Sequence, residues 1–169
     1  DCDDGNSSTT DVCLNPGTMQ SSCQHTPTGN PYCANGTTMT VTEVATAISA
    51  GKLTFTHIDQ TSQAVFQVTN TTGCSAPLIA SSYKVFIQPT NPGWLSTQQF
   101  YADSGVVNIN ANGSTNVTVA MASCMTQADL WYQSAPHQFT SDDANGYAGY
   151  TIYDGFIHTA ALCPTTTQC

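Results

Sequence analysis

The sequence predicts an all-β fold, an antiparallel β-sandwich preceded by an extended, cysteine-rich amino-terminal segment. Three observations predict it. From Thr38 onward, short apolar runs alternate with polar residues, as strands with one buried face do. Turn-forming Gly, Asn, Asp and Pro residues interrupt these runs about every 8–12 residues. Eight cysteines in 169 residues are typical of a disulfide-stabilised domain in an oxidising compartment.

The chain divides into two regions of different composition. Residues 1–37 are polar and rich in Gly, Pro and Asn, so we expect a cysteine-rich arm or cap, and residues 38–169 are predicted to form the β-sandwich domain. No CxxC spacing occurs, which favours disulfides over a zinc site and leaves the pairing open. The predicted disulfide cysteines are Cys2, Cys13, Cys23, Cys33, Cys74, Cys124, Cys163 and Cys169.

Period-two patterns and turn residues predict a series of short strands. Asn112-Gly113 predicts a tight hairpin between two of them, and Asp154-Gly155 predicts a second hairpin. The predicted strands span residues 39–44, 53–57, 64–69, 83–88, 99–102, 106–110, 115–121, 128–133, 150–153 and 156–159.

The stretch TVTEVATAISAGK leaves two alternatives open. Val44 and Ile48 lie four residues apart and Gly51 follows them, which favours a short helix. A strand would instead continue the run 39–44.

The run from Thr115 combines a strand pattern with glycosylation sequons. Alternation places Val117, Val119 and Met121 on one face and Asn116, Thr118 and Ala120 on the other, so we expect a buried face and an exposed sequon face. The glycosylation candidates of the whole chain are Asn6, Asn35, Asn70, Asn112 and Asn116.

The charge balance excludes two classes of partner. The only basic residues are Lys52 and Lys84, against eleven acidic ones, and the net charge is -9. Such a chain repels nucleic acids and anionic membrane surfaces. No apolar run is long enough to span a bilayer, so we expect no membrane insertion of the mature chain and a secreted, extracellular or cell-surface location.

No motif predicts an enzyme. Neither GxSxG nor HExxH occurs, and Glu43 is the only glutamate. Asp142, Asp143 and Asp154 lie in turn-like sequence, where aspartate is a common turn former.

No metal or cofactor is predicted either. The segments DCDDGN and SDDANG are similar to calcium loops but lack the full ligand register. The histidines also lack ligand spacing, so a copper or zinc site would have to be assembled through space from His25, His57, His137 and His158.

Three aromatic residues are candidates for carbohydrate binding, because exposed rings stack on sugar faces. They are Trp94, Trp131 and Tyr132. The alternative is that the tryptophans fill the interior of the sandwich or cap its edge.

Two further stretches carry a family resemblance. AVFQVTNTTG ends a strand in Asn-Thr-Thr-Gly, and INANGSTNVTVAM places a Gly turn before a TVTV strand. On these stretches, residues 53–133 resemble the immunoglobulin-like β-sandwich modules of microbial extracellular filament and surface proteins. The resemblance covers about half the chain and implies a structural rather than a catalytic role.

We therefore expect a structural subunit of a pilus-like filament or cell-surface layer that self-associates into a homopolymer. An arm from one subunit would add a strand to the open sheet edge of the next. SSTTDVCLNPG and GTTMTVTEV are the candidate strands. The alternatives are a carbohydrate-binding or adhesive module, with glycans as partners, and a small secreted enzyme or inhibitor.

Overall fold

The computed structural model of the chain consists of antiparallel β-sheets and one short helix, which confirms the predicted all-β class. It describes residues 2–3, 9–27, 29–34, 36–139 and 150–165. The elements in chain order are β1 (Thr9–Leu14), β2 (Ser22–Pro27), α1 (Val41–Ser49), β3 (Leu53–Gln60), β4 (Gln63–Asn70), β5 (Ala76–Lys84), β6 (Gln99–Asp103), β7 (Val107–Ile109), β8 (Gly113–Ala120), β9 (Thr126–Tyr132) and β10 (Ile152–His158).

The described strands form three sheets. β1 and β2 pair only with each other. β4 lies between β3 and β8 in the second sheet. The third sheet has the order β10-β9-β5-β6. β6 pairs with residues 81–84 of β5, and the short strand β7 pairs with residues 76–78 at the beginning of β5.

The main hydrophobic core lies between the second and third sheets. Phe66 on β4 belongs to the same buried cluster as Leu78 on β5 and Leu130 on β9. Helix α1 adds Val44 and Ala47, which are both fully buried. Burying a large apolar side chain contributes roughly 1.5–3 kcal/mol, so this cluster holds the two sheets together.

The alternative left open for TVTEVATAISAGK, residues 40–52, is settled in favour of a helix. The Thr40 hydroxyl accepts a hydrogen bond from the Glu43 amide, and the Glu43 carboxylate accepts one from the Thr40 amide, which forms a capping box. Glu43 also accepts from the Ala34 amide, and these backbone hydrogen bonds lower its pKa. The predicted strand 39–44 is therefore wrong, because the helix begins at Val41. In GTTMTVTEV only the residues before Val41 include extended backbone, and Thr38 there pairs with Ser75.

The turn at Asn112-Gly113 exists, but it does not connect a hairpin. Asn112 has a positive φ of 50°, a conformation that Asn and Gly adopt readily in turns. However, β7 before the turn pairs with β5, and β8 after it pairs with β4. The chain therefore crosses from one sheet to the other. The predicted faces of β8 are confirmed, because Val117 and Val119 are buried and Asn116 is exposed.

Two other strand predictions need correction. Asp154-Gly155 is not a turn, because both residues pair with β9 inside one continuous strand that contains a register shift. The strand predicted at 83–88 begins earlier, at Ala76. β5 is buried on both faces, so it lacks the alternation that marks a half-exposed strand, and Pro77 further obscured it.

Three disulfides link six of the seven described cysteines, which indicates an oxidising compartment of the extracellular type. Cys33–Cys74 joins the segment before α1 to the β4–β5 connection inside the core, and Cys124–Cys163 joins the β8–β9 connection to the carboxy-terminal segment. Cys2–Cys23 lies within the amino-terminal region. Cys169 lies outside the described residues, and the predicted domain boundary at residue 37 stays a prediction.

Candidate functional site

The amino-terminal hairpin, defined here as residues 9–27, exposes an apolar face. Val12 and Leu14 lie on the same side of β1, 44% and 42% exposed, and Met19 in the connecting turn is 95% exposed. β1 and β2 contact each other far more than they contact any other element. Nothing in the described part of the chain covers this face.

A disulfide and a free thiol lie on the opposite face of the hairpin. Cys13 is directly opposite Cys23 in the β1–β2 register, but Cys23 is bonded to Cys2. Cys13 is a free, exposed thiol among the described residues. Its predicted disulfide stays a prediction, because Cys169 lies outside them.

Strand β8 is an open edge of the second sheet. It runs unbroken over eight residues and pairs only with β4 among the described strands. Its sequence, GSTNVTVA, contains no charged residue and no proline. Natural sheet edges are usually protected by such residues, so β8 offers an unprotected row of backbone donors and acceptors.

A cleft of about 260 Å³ lies on the face of the third sheet that points away from the main core. Register places Asp129 of β9 between Ser81 of β5 and Gly155 of β10. The Asp129 carboxyl group packs against Gly155, which has no side chain in its way, and is buried there. The cleft is lined by Trp94, Gln127, Asp129, Ile152, Gly155, Phe156 and Ile157.

Asp129 is a buried carboxyl group that makes no ion pair with a described residue. It is 1% exposed, and Gln127 Nε2 donates to its Oδ1 and Oδ2 at 2.9 and 2.7 Å. Gln98 Nε2 in turn donates to Gln127 Oε1 at 2.7 Å, while Gln98 Oε1 is buried with no hydrogen-bond partner in the described structure. Burial raises the pKa of Asp129 to about 7; the bonds from Gln127 oppose this rise and nearby Asp154 adds to it.

The sequence analysis did not identify Asp129 or Gly155 as residues of a candidate site. A signal was available, since a carboxylate inside a predicted strand is costly to bury without a partner or a function. Gly155 was assigned to a turn, whereas its lack of a side chain is what accommodates Asp129. A Cβ atom at position 155 would overlap the Asp129 carboxylate.

The three aromatic candidates do not form a flat exposed face. Trp131 is fully buried in a second cluster that includes Tyr83 and Phe139, and its Nε1 donates to Ser81 Oγ at 2.6 Å. The Tyr132 hydroxyl is directed inward and donates to the Met39 carbonyl. Only Trp94 of the three lines an open cleft.

Two of the histidines are brought against aspartates. His57 Nδ1 on β3 lies 3.0 Å from Asp154 Oδ2 on β10, and His158 Nδ1 on β10 lies 2.7 Å from Asp59 Oδ1 on β3. His137 stacks on Phe100 instead, with ring centroids 4.1 Å apart. His25 lies in β2, and Asp142 and Asp143 lie outside the described residues.

The sequons differ in accessibility. Asn112 and Asn116 are exposed, whereas Asn70 is 1% exposed. Asn70 Nδ2 donates to the carbonyls of Cys74, Ile109 and Asn110, so this nitrogen cannot carry a glycan in the folded chain. Asn6 and Asn35 lie outside the described residues.

In the described residues, no three His, Cys, Asp or Glu side chains are close enough together to hold a metal ion. No helix found there is long and apolar enough to cross a membrane. Comparison of the chain with models of protein families, with curated proteins and with solved structures finds no match.

Proposed function

We propose that the chain is a secreted structural subunit that assembles into an extracellular filament or cell-surface layer through its amino-terminal hairpin. The observation that carries this proposal is the uncovered apolar face formed by Val12 and Leu14. A two-stranded hairpin is marginally stable by itself in water. A partner that covers this face would therefore stabilise the hairpin.

The partner in this proposal is a second copy of the chain. Among the described strands, β1 pairs along one edge only, with β2, and β8 pairs along one edge only, with β4. Addition of β1 along β8 of the next subunit would extend its three-stranded sheet. Two different surfaces meet in such a contact, so it propagates head to tail into a homopolymer instead of closing as a dimer.

An immunoglobulin-like sandwich is the finer fold within this proposal. The sheet β3-β4-β8 combines the first two strands of the body with a later one, and the other sheet combines the next two strands with the last two. This distribution supports the immunoglobulin-like class, in which Greek-key connections divide the strands in the same manner.

Secretion and glycosylation are parts of the same proposal. Three disulfides favour an exported chain. Asn112 and Asn116 are the exposed glycan acceptors on the turn and strand that form the β8 edge. Their glycans would project from the sheet face and leave the strand edge open.

The carbohydrate-binding alternative receives less support. It requires at least two aromatic rings exposed on one flat face, and Trp131 is fully buried. The proposal involves no enzymatic activity and no cofactor.

The test is electron microscopy and mass photometry of the intact protein over a range of concentrations. We expect wild-type chains to form ordered fibres or ladders of multimers, and Val12→Asp/Leu14→Asp chains to remain monomeric. Val106→Asp is the matched control, because Val106 is 51% exposed but lies outside the hairpin. A wild-type protein that stays monomeric at high concentration, with and without reductant, would overturn the proposal.

A further inference from the structure

We propose that a groove beside Lys84 and Tyr101 is a binding site for a sugar ring that carries a single carboxylate, a uronate residue. The groove lies at the end of the third sheet, where β5 finishes and β6 begins, and its volume of about 300 Å³ accommodates one sugar ring. It contains no residue of the hairpin or of β8, so this inference does not depend on the proposed assembly.

Four segments of the chain form the groove, and local bonds hold them together. Lys84 ends β5, and the other walls come from the start of β6, the β8–β9 connection and the carboxy-terminal segment. The Val85 amide donates to the Met125 carbonyl, and the Cys163 amide donates to the Val85 carbonyl, both at 2.9 Å. The Cys124–Cys163 disulfide also lines the groove. The groove is therefore formed before a ligand arrives, which lowers the entropic cost of binding.

Lys84 brings an accessible positive charge to this groove. Its side chain is partly exposed, and its Nζ lies 5.1 Å from the centroid of the Tyr101 ring. The Nζ atom makes no hydrogen bond or ion pair with a described residue and is not buried, so a ligand can reach it. No other charged residue occurs in the segments that line the groove, residues 84–102, 121–125 and 161–165. A carboxylate would therefore gain a charge-assisted hydrogen bond there.

The net charge of -9 limits the ligand to an isolated carboxylate. The eleven acidic residues of the chain would repel a polyanion. A single carboxylate experiences chiefly the charge beside it, because salt screens charges farther away than about 8–10 Å. A phosphate would bring a second negative charge to a site with one ammonium group. The groove therefore favours a ligand with one negative charge.

The other lining groups favour a sugar ring over an acidic peptide side chain. Tyr101 is 42% exposed, the largest value among the described aromatic residues, and Phe86 adds a partly exposed ring. Such rings pack against the apolar face of a sugar. Gln99 and Ser123 are exposed and offer amide and hydroxyl groups, which match sugar hydroxyls. A peptide carboxylate would use Lys84 alone and leave these groups to water.

The test is saturation-transfer NMR of methyl glucuronide with the intact protein, which detects binding to a monomer and to an assembly alike. We expect saturable transfer. The neutral carboxamide of the same sugar should bind at least about tenfold more weakly, because it loses the charge-assisted hydrogen bond. N-acetyl-aspartate methylamide represents a peptide carboxylate and should also bind more weakly. If it binds as tightly as the glucuronide, the proposed sugar ligand is wrong and the groove recognises an acidic peptide.

Variants of the two lysines make the test specific, because the chain contains no other lysine and no arginine. Lys84→Met keeps an apolar stem and should weaken binding at least about tenfold, whereas Lys84→Arg should restore most of it. Lys52→Met removes the same charge from an exposed position outside the groove and should bind like the wild type. Tyr101→Ala should weaken binding although the charge remains. Absence of saturable binding to the wild type would overturn the proposal, as would equal binding of the carboxamide or equal losses in Lys84→Met and Lys52→Met.

Discussion

His57 and Asp154 connect the edge strands of the two facing sheets, with 3.0 Å between Nδ1 and Oδ2. A second pair, His158 and Asp59, spans the same two strands in the opposite sense. β3 contributes one histidine and one aspartate, and β10 contributes the complementary two. The His57 ring also stacks on Phe156, with centroids 4.5 Å apart. These crossed pairs join the sheets along one side, where no backbone ladder links them.

The first prediction concerns the strength of this connection. At about pH 5, where an ordinary histidine is protonated, a double-mutant cycle of His57→Phe and Asp154→Ala should give a coupling energy of about 0.2–1 kcal/mol. The coupling should decrease at high salt, because both side chains are partly exposed. Phenylalanine keeps a ring against Phe156, so the cycle isolates the polar pair. Urea denaturation measures it. A coupling that salt leaves unchanged would contradict this account.

The second prediction concerns stability and pH. Asp129 has a pKa of about 7 in the folded chain, well above the value of about 4 in an unfolded one. The folded state therefore holds the proton more tightly, and this contribution is fully present below pH 4 and disappears as pH rises through 7. Over that interval the loss should approach 1.4 kcal/mol per pH unit, as an upper estimate.

Asp129→Asn should remove this slope, because an asparagine does not titrate. Unfolding free energies measured from pH 4 to 8 for the wild type, Asp129→Asn and the exposed-site control Asp103→Asn give the comparison. If the unfolding free energies of the wild type and of Asp129→Asn change with pH in parallel, burial does not raise the pKa of Asp129 and the prediction is wrong.

The third prediction separates the disulfides by location. Replacing Cys33 and Cys74 with alanine removes a bridge inside the core that spans 41 residues of sequence, and should lower the unfolding free energy of the body by roughly 2–5 kcal/mol. Replacing Cys2 and Cys23 should leave the body unchanged, since this bridge lies in the amino-terminal region. Thermal unfolding followed by tryptophan fluorescence reports on the body, which contains Trp94 and Trp131. Equal losses in both double variants would contradict the prediction.

The fourth prediction concerns the sequons. In a host that glycosylates, glycopeptide mass spectrometry should find glycans at Asn112 or Asn116 and none at Asn70. Asn70→Ala should also destabilise the fold by about 2 kcal/mol or more, because it leaves buried carbonyls without donors. Asn116→Ala should be close to neutral. Occupancy at Asn70 in folded protein would refute this assignment.

The sequence predicted local features better than partners across space. The faces of β8 follow from the alternation of Val117 and Asn116, and the structure confirms them. Asn112-Gly113 correctly marked a turn, but residues near a turn do not reveal which sheet each flanking strand joins. The same limit explains why the sequence did not predict the cleft beside Asp129. Gly155 resembles a turn residue in sequence, and its packing against Asp129 depends on a pairing between distant segments.

The Cys2–Cys23 bridge closes the amino-terminal region upon itself, whereas Cys33–Cys74 secures the body. The hairpin and the body should therefore open as separate cooperative units in amide hydrogen exchange. Assembly would then stabilise the hairpin of one subunit and the β8 edge of the next, since a bound neighbour stabilises only the segment it covers. Raising the protein concentration should slow exchange in residues 11–24 while exchange in the core strands β5 and β9 stays constant. In such a subunit, the protein concentration would determine how often the amino-terminal hairpin opens.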